Sequence, residues 1–202
     1  MKMYLIGMLV GDGSLEKRKN RAYAVWIDQH TRNLPILQRI ERILKERGLK
    51  TYFYDIPKSK KRILVYSKKI FEIFKKAKQN PSQFFKGLGD EEKLQFISGF
   101  LDAEGTVTDR IVIYNSNKML LEEIQEFLKS KGISSHIYTF GKVFGLQIYR
   151  RSEIKKLMKL LNSVKLLSSS RLKNIGGRQV ETLSTAPEAC PVPVCEAGFQ
   201  PG

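Results

Sequence analysis

Leu5-Ile6-Gly7-Met8-Leu9-Val10-Gly11-Asp12-Gly13 and Ile97-Ser98-Gly99-Phe100-Leu101-Asp102-Ala103-Glu104-Gly105 are two copies of one pattern. Each run is apolar, has glycine at its third position, and ends in a small residue, an acid and a glycine. The two acids lie 92 residues apart. One Asp-Gly after an apolar run is an ordinary turn or helix stop. Two copies inside a larger repeat ask for a shared reason. Gly7 and Gly11 are four residues apart, as are Gly99 and Ala103, so each pair lies on one stripe of a helix. Facing stripes of small residues let two helix backbones approach closely. Asp12 and Glu104 then meet across a pseudo-twofold axis.

The repeat extends outward from these runs. Ile36 to Leu49 reads as an amphipathic helix stopping at Gly48, and Leu120 to Ile133 as another stopping at Gly132. Leu64-Val65-Tyr66-Ser67 and Gln147-Ile148-Tyr149-Arg150 each lead into a further apolar-periodic helix, Ile70 to Ala77 and Ile154 to Leu161. Strands are expected over Arg21 to Gln29, Thr51 to Asp55, Arg62 to Tyr66, Arg110 to Tyr114, Ser135 to Phe140 and Val143 to Tyr149. Each half thus offers an antiparallel sheet of about four strands with helices on one face, an α+β organisation. The first half carries extra residues around Leu15 to Arg21. Gln79 to Lys93, with Pro81, Gly87 and Gly89, reads as the connection between halves, with some helix near Glu91.

Composition narrows the partner. The residues up to Arg178 hold all 36 Lys and Arg against 17 of the 20 Asp and Glu, an excess of 19 positive charges. A surface so charged repels itself unless a polyanion neutralises it. A membrane partner is not expected, because no stretch approaches a spanning helix of roughly 20 apolar residues. The N-terminus has no signal-peptide cleavage region, so an intracellular location (cytoplasm or nucleoid) is expected. The two cysteines, Cys190 and Cys195, and the two histidines, His30 and His136, do not make a zinc site or a disulfide framework for the body. From Gln179 the chain is proline-rich and acidic, and residues 179–202 are read as a tail outside the fold.

The paired acids have an electrostatic problem with a chemical answer. Helix C-termini are the negative end of the dipole, and like carboxylates repel. Divalent cations offset both effects. Asp12, Glu104, the carbonyls of Gly11 and Ala103, and water make an all-oxygen donor set suited to Mg2+. Two such ions can activate a water and stabilise the leaving oxygen of a phosphodiester. The plainer alternative is a helix pair whose acids are solvated caps.

The two motif runs resemble those of the LAGLIDADG homing endonucleases, in their single-chain, two-repeat form. The resemblance spans roughly residues 1–175. It implies tandem pseudo-twofold αββαββα repeats whose two saddle-shaped antiparallel sheets straddle a DNA major groove. Residues 1–80 would form the first repeat, 81–93 a linker, and 94–178 the second repeat. Asp12 and Glu104 would be the catalytic, metal-holding acids, using Mg2+, with Mn2+ substituting and Ca2+ supporting binding without cleavage. Both strands would be cut, leaving short 3′ overhangs. The second acid departs from the usual Asp. The resemblance also implies a polar residue that orders the attacking water, matched by Gln29 and, in the second half, near Asn115. A pocket lysine is usual in the family, with Lys86 and Lys142 as the candidates here.

If Gln29 faces DNA, strand parity puts Arg21, Tyr23, Val25 and Ile27 beside it, with Ala24 and Trp26 packed inward. Lys17, Arg18, Lys19 and Arg21 on one loop, and Lys60, Lys61 and Arg62 on another, are expected to reach phosphates or bases. Second-half contacts are sparser: Arg110, Lys142, Gln147 and Tyr149. Unequal halves imply a long, asymmetric double-stranded target. The internal repeat already supplies the twofold axis, so a monomer is expected. An RNA-binding intron maturase and a non-cleaving DNA-binding regulator of the same fold are the alternatives. Two intact acids favour cleavage.

Overall fold

The structure is a computed structural model that describes residues 2–17 and 22–169. In chain order the elements are α1 (Met3–Asp12), β1 (Gly13–Lys17), β2 (Tyr23–His30), α2 (Leu34–Lys45), β3 (Thr51–Ile56), β4 (Lys60–Tyr66), α3 (Lys68–Gln79) and α4 (Pro81–Lys86). They continue as α5 (Asp90–Glu104), β5 (Gly105–Val107), β6 (Ile111–Asn115), α6 (Lys118–Ser130), β7 (His136–Phe140), β8 (Val143–Ile148), α7 (Arg151–Leu160) and α8 (Val164–Ser168). Two four-stranded antiparallel sheets run in the orders β1-β2-β4-β3 and β5-β6-β8-β7. Identical orders confirm the duplicated α+β architecture.

The helices sort by pattern. α1 is apolar all round and its residues Met3 to Leu9 are buried, as expected of a helix enclosed by protein. The helices α2 and α6 each bury one face, through Ile36, Leu37, Ile40, Ile43 and Leu44, and through Leu120, Leu121, Ile124, Phe127 and Leu128. Just beyond them Gly48 and Gly132 take positive φ angles of 69° and 70°, the left-handed helix stop that glycine adopts without strain. Ser67 and Asn117 cap α3 and α6, accepting from the backbone N–H of Ile70 and Leu120.

Three sequence expectations are refined or corrected. The 81–93 stretch, read as a linker with some helix near Glu91, also holds a second helix. Pro81 and the Asn80 side chain start α4, whose Phe85 is buried against Phe96 and Phe127, and α5 begins at Asp90. The fourth strand expected of each sheet is β1 or β5, directly after the central helix, where the sequence reading had located no strand. This strand is longer in the first half, where Gly13 pairs with Ile27, than in the second, where Gly105 pairs with Ile113. Thirdly, the faces of β2 are the reverse of those expected. Val25 and Ile27 lie in the core with Ile63 and Val65. Trp26 and Asp28 lie on the opposite, outer face with their partners Leu64 and Arg62. No helix among the described residues is long and apolar enough to cross a membrane.

Candidate active site and nucleic-acid face

α1 and α5 cross at their glycines. A Cβ at Gly7 would land on the Phe96 carbonyl oxygen, and one at Gly99 on the Tyr4 carbonyl oxygen. No side chain fits at either point, so the backbones touch. One turn on, Gly11 faces the Cβ of Ala103 and the Cγ of Glu104. Both helices end in the same way. Gly13 and Gly105 are extended, at φ −84°, ψ 153° and φ −86°, ψ 151°, and each N–H closes the last turn onto Leu9 or Leu101. The crossing therefore delivers Asp12 and Glu104 to one end of the helix pair, between the two sheets.

Each acid has a polar neighbour on the second strand of its own sheet. The Gln29 amide Nε2 donates to Asp12 Oδ2 in a short hydrogen bond, and Asn33 Nδ2 holds Gln29 Oε1 at 2.8 Å. The equivalent pair is looser. Asn115 Nδ2 lies 3.5 Å from Glu104 Oε1, while its own Oδ1 accepts the N–H of Asn117 at 2.9 Å. Burial raises the pKa of Asp12, against the lowering effects of Gln29, Lys165 and Lys60. Burial also raises that of Glu104, helped by repulsion from Asp12.

A lysine that sequence reading missed completes the cluster. Lys165 Nζ donates to the carbonyl oxygens of Gly105 at 2.6 Å and Ala103 at 3.2 Å. Burial lowers its pKa, while Asp102, Asp12 and Glu104 pull it back up. Asp102 explains its position. This fully buried carboxylate accepts from Ser163 Oγ at 2.6 Å, from the N–H of Val164 and Lys165 at 2.8 and 2.9 Å, and from Tyr4 Oη at 2.8 Å. It pins the N-terminus of α8 against α5, with its charge at the positive end of that short helix. Lys78, at the end of α3, donates to Gly13 O at 3.1 Å and is the first-half counterpart. The two expected pocket lysines lie elsewhere. Lys86 pairs with Glu123 between α4 and α6, and Lys142 sits in the turn joining β7 and β8.

The family model described as a LAGLIDADG-like domain matches residues 1–78 and 91–162. The chain belongs to this family. It is 31% identical over 172 residues to homing endonuclease I-DmoI of Desulfurococcus mucosus, covering 79% of this chain and 87% of that protein. The crystal structure of I-DmoI in complex with DNA and Ca matches at 27% identity and a TM-score of 0.65, covering 81% of this chain and 90% of that one. The complex with DNA and Mn matches at 28% identity and 0.64, covering 80% and 96%.

On the outer faces, away from the helices, the register gathers Trp26, Asp28, Lys60, Arg62, Tyr52 and Tyr54 in the first sheet. Val112, Tyr114, His136, Tyr138 and Gln147 lie there in the second sheet, and Tyr149 follows half-exposed just past β8. Of the expected contact residues, Lys60, Arg62, Gln147 and Tyr149 fall on these faces or continue them. Tyr23 does not: it packs edge-on against Phe71 of α3, on the helix side, with Lys17 Nζ 5.7 Å over its ring. Lys61 also points to that side and pairs with Asp55 at 2.7 Å. Arg110 lies in the β5–β6 turn, 3.4 Å from Asp109. Arg18, Lys19 and Arg21 lie outside the described residues, as does the tail.

Proposed function

We propose that this protein is a homing endonuclease. It recognises a long, asymmetric DNA duplex through the major groove, as a monomer, and hydrolyses one phosphodiester in each strand, leaving short 3′ overhangs. The observation that carries this reading is the delivery of Asp12 and Glu104 to one point between two sheets, with Lys165 beside them. The kinship with I-DmoI, crystallised with DNA and divalent metals, supports it.

Mg2+ fits the donor set. Two half-buried carboxylates with raised pKa values gain from a cation. Among the described residues no group of three or more His, Cys, Asp or Glu comes together, and Mg2+ is the ion that makes do with one or two carboxylates plus substrate phosphate. Asp12 and Glu104 would hold it, with the carbonyls of Gly11 and Ala103. The Ala103 oxygen can serve while also accepting from Lys165, since a carbonyl has two lone pairs. Bound there, the cation supplies Lewis-acid polarisation of the phosphodiester and stabilises its leaving oxygen.

The chain's own residues supply the rest. Gln29, fixed by Asn33, orients Asp12 and is placed to order the attacking water. Asn115 does the same on the other side at longer range. Lys165 sets a positive charge where negative charge grows on the phosphate. Lys60 and Arg62 on the first outer face, and Gln147 and Tyr149 on the second, meet the duplex. The test is cleavage of a duplex library in Mg2+, with Ca2+ as a binding control. Asp12→Asn and Glu104→Gln should bind and not cut, losing at least roughly 10³-fold in rate. If both variants cut normally, the acid-pair mechanism is wrong. A wild type that cuts no DNA but binds structured RNA tightly would point to a maturase.

A further inference from the structure

Arg62 is held in an unusual way for a half-buried surface cation. Its Nε and Nη2 donate to Asp28 Oδ1 and Oδ2 at 2.7 and 2.8 Å, a two-point fork across neighbouring strands. Its guanidinium carbon lies 4.9 Å from the centre of the Trp26 ring. Asp28 and Arg62 are direct partners in the β2–β4 register, and Trp26 precedes Asp28 by one position on the same outer face. A two-point fork and a ring contact thus restrain one guanidinium. A surface ion pair of this kind contributes little to stability, and ordering a long side chain costs entropy. The arrangement makes better sense as preorganisation for a ligand.

The fork leaves a defined edge. Asp28 uses the Nε–H and one Nη2–H. Two Nη1–H groups and the other Nη2–H remain, and that Nη2–H with the Nη1–H beside it forms the end-on donor pair of a guanidinium. Two parallel donors on a fixed plane match the O6 and N7 acceptors of guanine in the major groove. Adenine presents a donor at the position of O6 and is rejected. Asp28 also discourages a phosphate from approaching the same guanidinium, because it neutralises the charge and repels the anion.

We infer that Arg62 reads a guanine in the first-repeat side of the target, with Asp28 and Trp26 as its positioning residues. The inference rests on the DNA-binding reading above and names what one element of that face recognises. Asp28 adjoins Gln29 in β2, so the guanine falls in the part of the half-site near the scissile bonds.

The experiment is selection of bound duplexes from a randomised library by the full chain in Ca2+, with binding repeated over a range of salt. The wild type should prefer guanine at one position by roughly 5- to 150-fold. Arg62→Ala should abolish that preference and leave the others standing. Asp28→Ala should blur the same position while raising overall affinity, because a carboxylate leaves a face that meets phosphates. Asp28→Asn keeps the shape and should lose less. Uniform weakening by Arg62→Ala across all sequences, with the salt slope reduced by about 0.9, would make Arg62 a phosphate clamp and overturn the assignment. Unchanged selectivity in Asp28→Ala would remove Asp28 from it. A wild type with no sequence preference anywhere takes down the endonuclease reading as well, whereas selectivity that is indifferent to Arg62 overturns only this inference.

Discussion

At the first repeat's side of the site an acid is held by a side chain; at the second's, a lysine from α8 lies against the end of the acid's helix. Asp12 has Gln29 in a short bond, and Asn33 behind it. Glu104 has only the longer contact to Asn115, but Lys165 lies against the last turn of its helix. The difference traces to the sixth position of the motif. There the first copy has Val10, half-buried against the core, and the second has Asp102, which seizes the start of α8. The duplicated backbone is symmetric in strand order and in helix ends, yet the two copies fix their acids by different physics. One uses hydrogen-bond geometry, and the other uses charge.

The sixth position should therefore break the symmetry most visibly in stability. Asp102→Ala leaves the Ser163 hydroxyl, two backbone N–H groups and the Tyr4 hydroxyl without their acceptor. A loss of about 3–5 kcal/mol is expected in urea denaturation. Val10→Ala at the matching position should cost about 1 kcal/mol, the ordinary value for trimming a partly buried aliphatic side chain. Equal losses would mean that Asp102 is not the anchor of α8.

The lysines test the charge side of the contrast. Lys165→Met keeps most of the half-buried stem and removes the ammonium from beside both acids. Cleavage should slow by up to about 100-fold, the range for a group that tunes a metal site from just outside it. Lys78→Met should slow it less, because Lys78 reaches only the Gly13 carbonyl. Single-turnover rates on the same duplex would decide this, and a larger effect from Lys78 would invert the comparison. For the hydrogen-bonded side, Gln29→Leu should cost about tenfold, as a lost bond to a charged acceptor does. Asn115→Leu should cost less, since a contact at 3.5 Å is at the weak limit of a hydrogen bond.

These contrasts also show what a single sequence discloses. The repeat was legible because close helix packing leaves a hard mark: Gly7 and Gly99 have no room for a methyl group, and spacing alone exposes that. Gln29 was legible by its place at a strand end. The faces of β2 were not, because both carry apolar residues. Trp26 looks like core and Val25 does not stand out from it. Gln29 also shares its face with the core rather than with the groove, because the helix side of the sheet opens onto the site at that end. Tyr23 was misplaced by the same inversion. Lys165 left no local mark at all. Ser163-Val164-Lys165 is unremarkable in sequence, and what recruits it is a carboxylate more than 60 residues earlier. Asp102 itself bonds the start of α8 rather than the acid pair.

The smallest expected effect concerns the acids before any metal binds. In the folded chain burial lifts the pKa of Asp12, and burial plus repulsion from Asp12 lifts that of Glu104. The folded state then holds protons that the unfolded state has already released. Between the ordinary carboxylate value and the raised one, stability falls as pH rises, and above that window the loss is complete. Metal-free Asp12→Asn should therefore melt higher than wild type at neutral pH. The two should converge as pH drops below the ordinary carboxylate range, where Asp12 is protonated in both states of the wild type. Asp12→Asn and Glu104→Gln should add to less than their sum, because removing either charge already relieves the repulsion between them. Mg2+ should reverse the order, since it stabilises only the chain that can bind it. Melting curves at neutral and acid pH, with chelator or with Mg2+, separate these outcomes. If metal-free Asp12→Asn melts no higher than wild type at neutral pH, the two carboxylates are not strained by their burial, and the site does not depend on a cation to offset it.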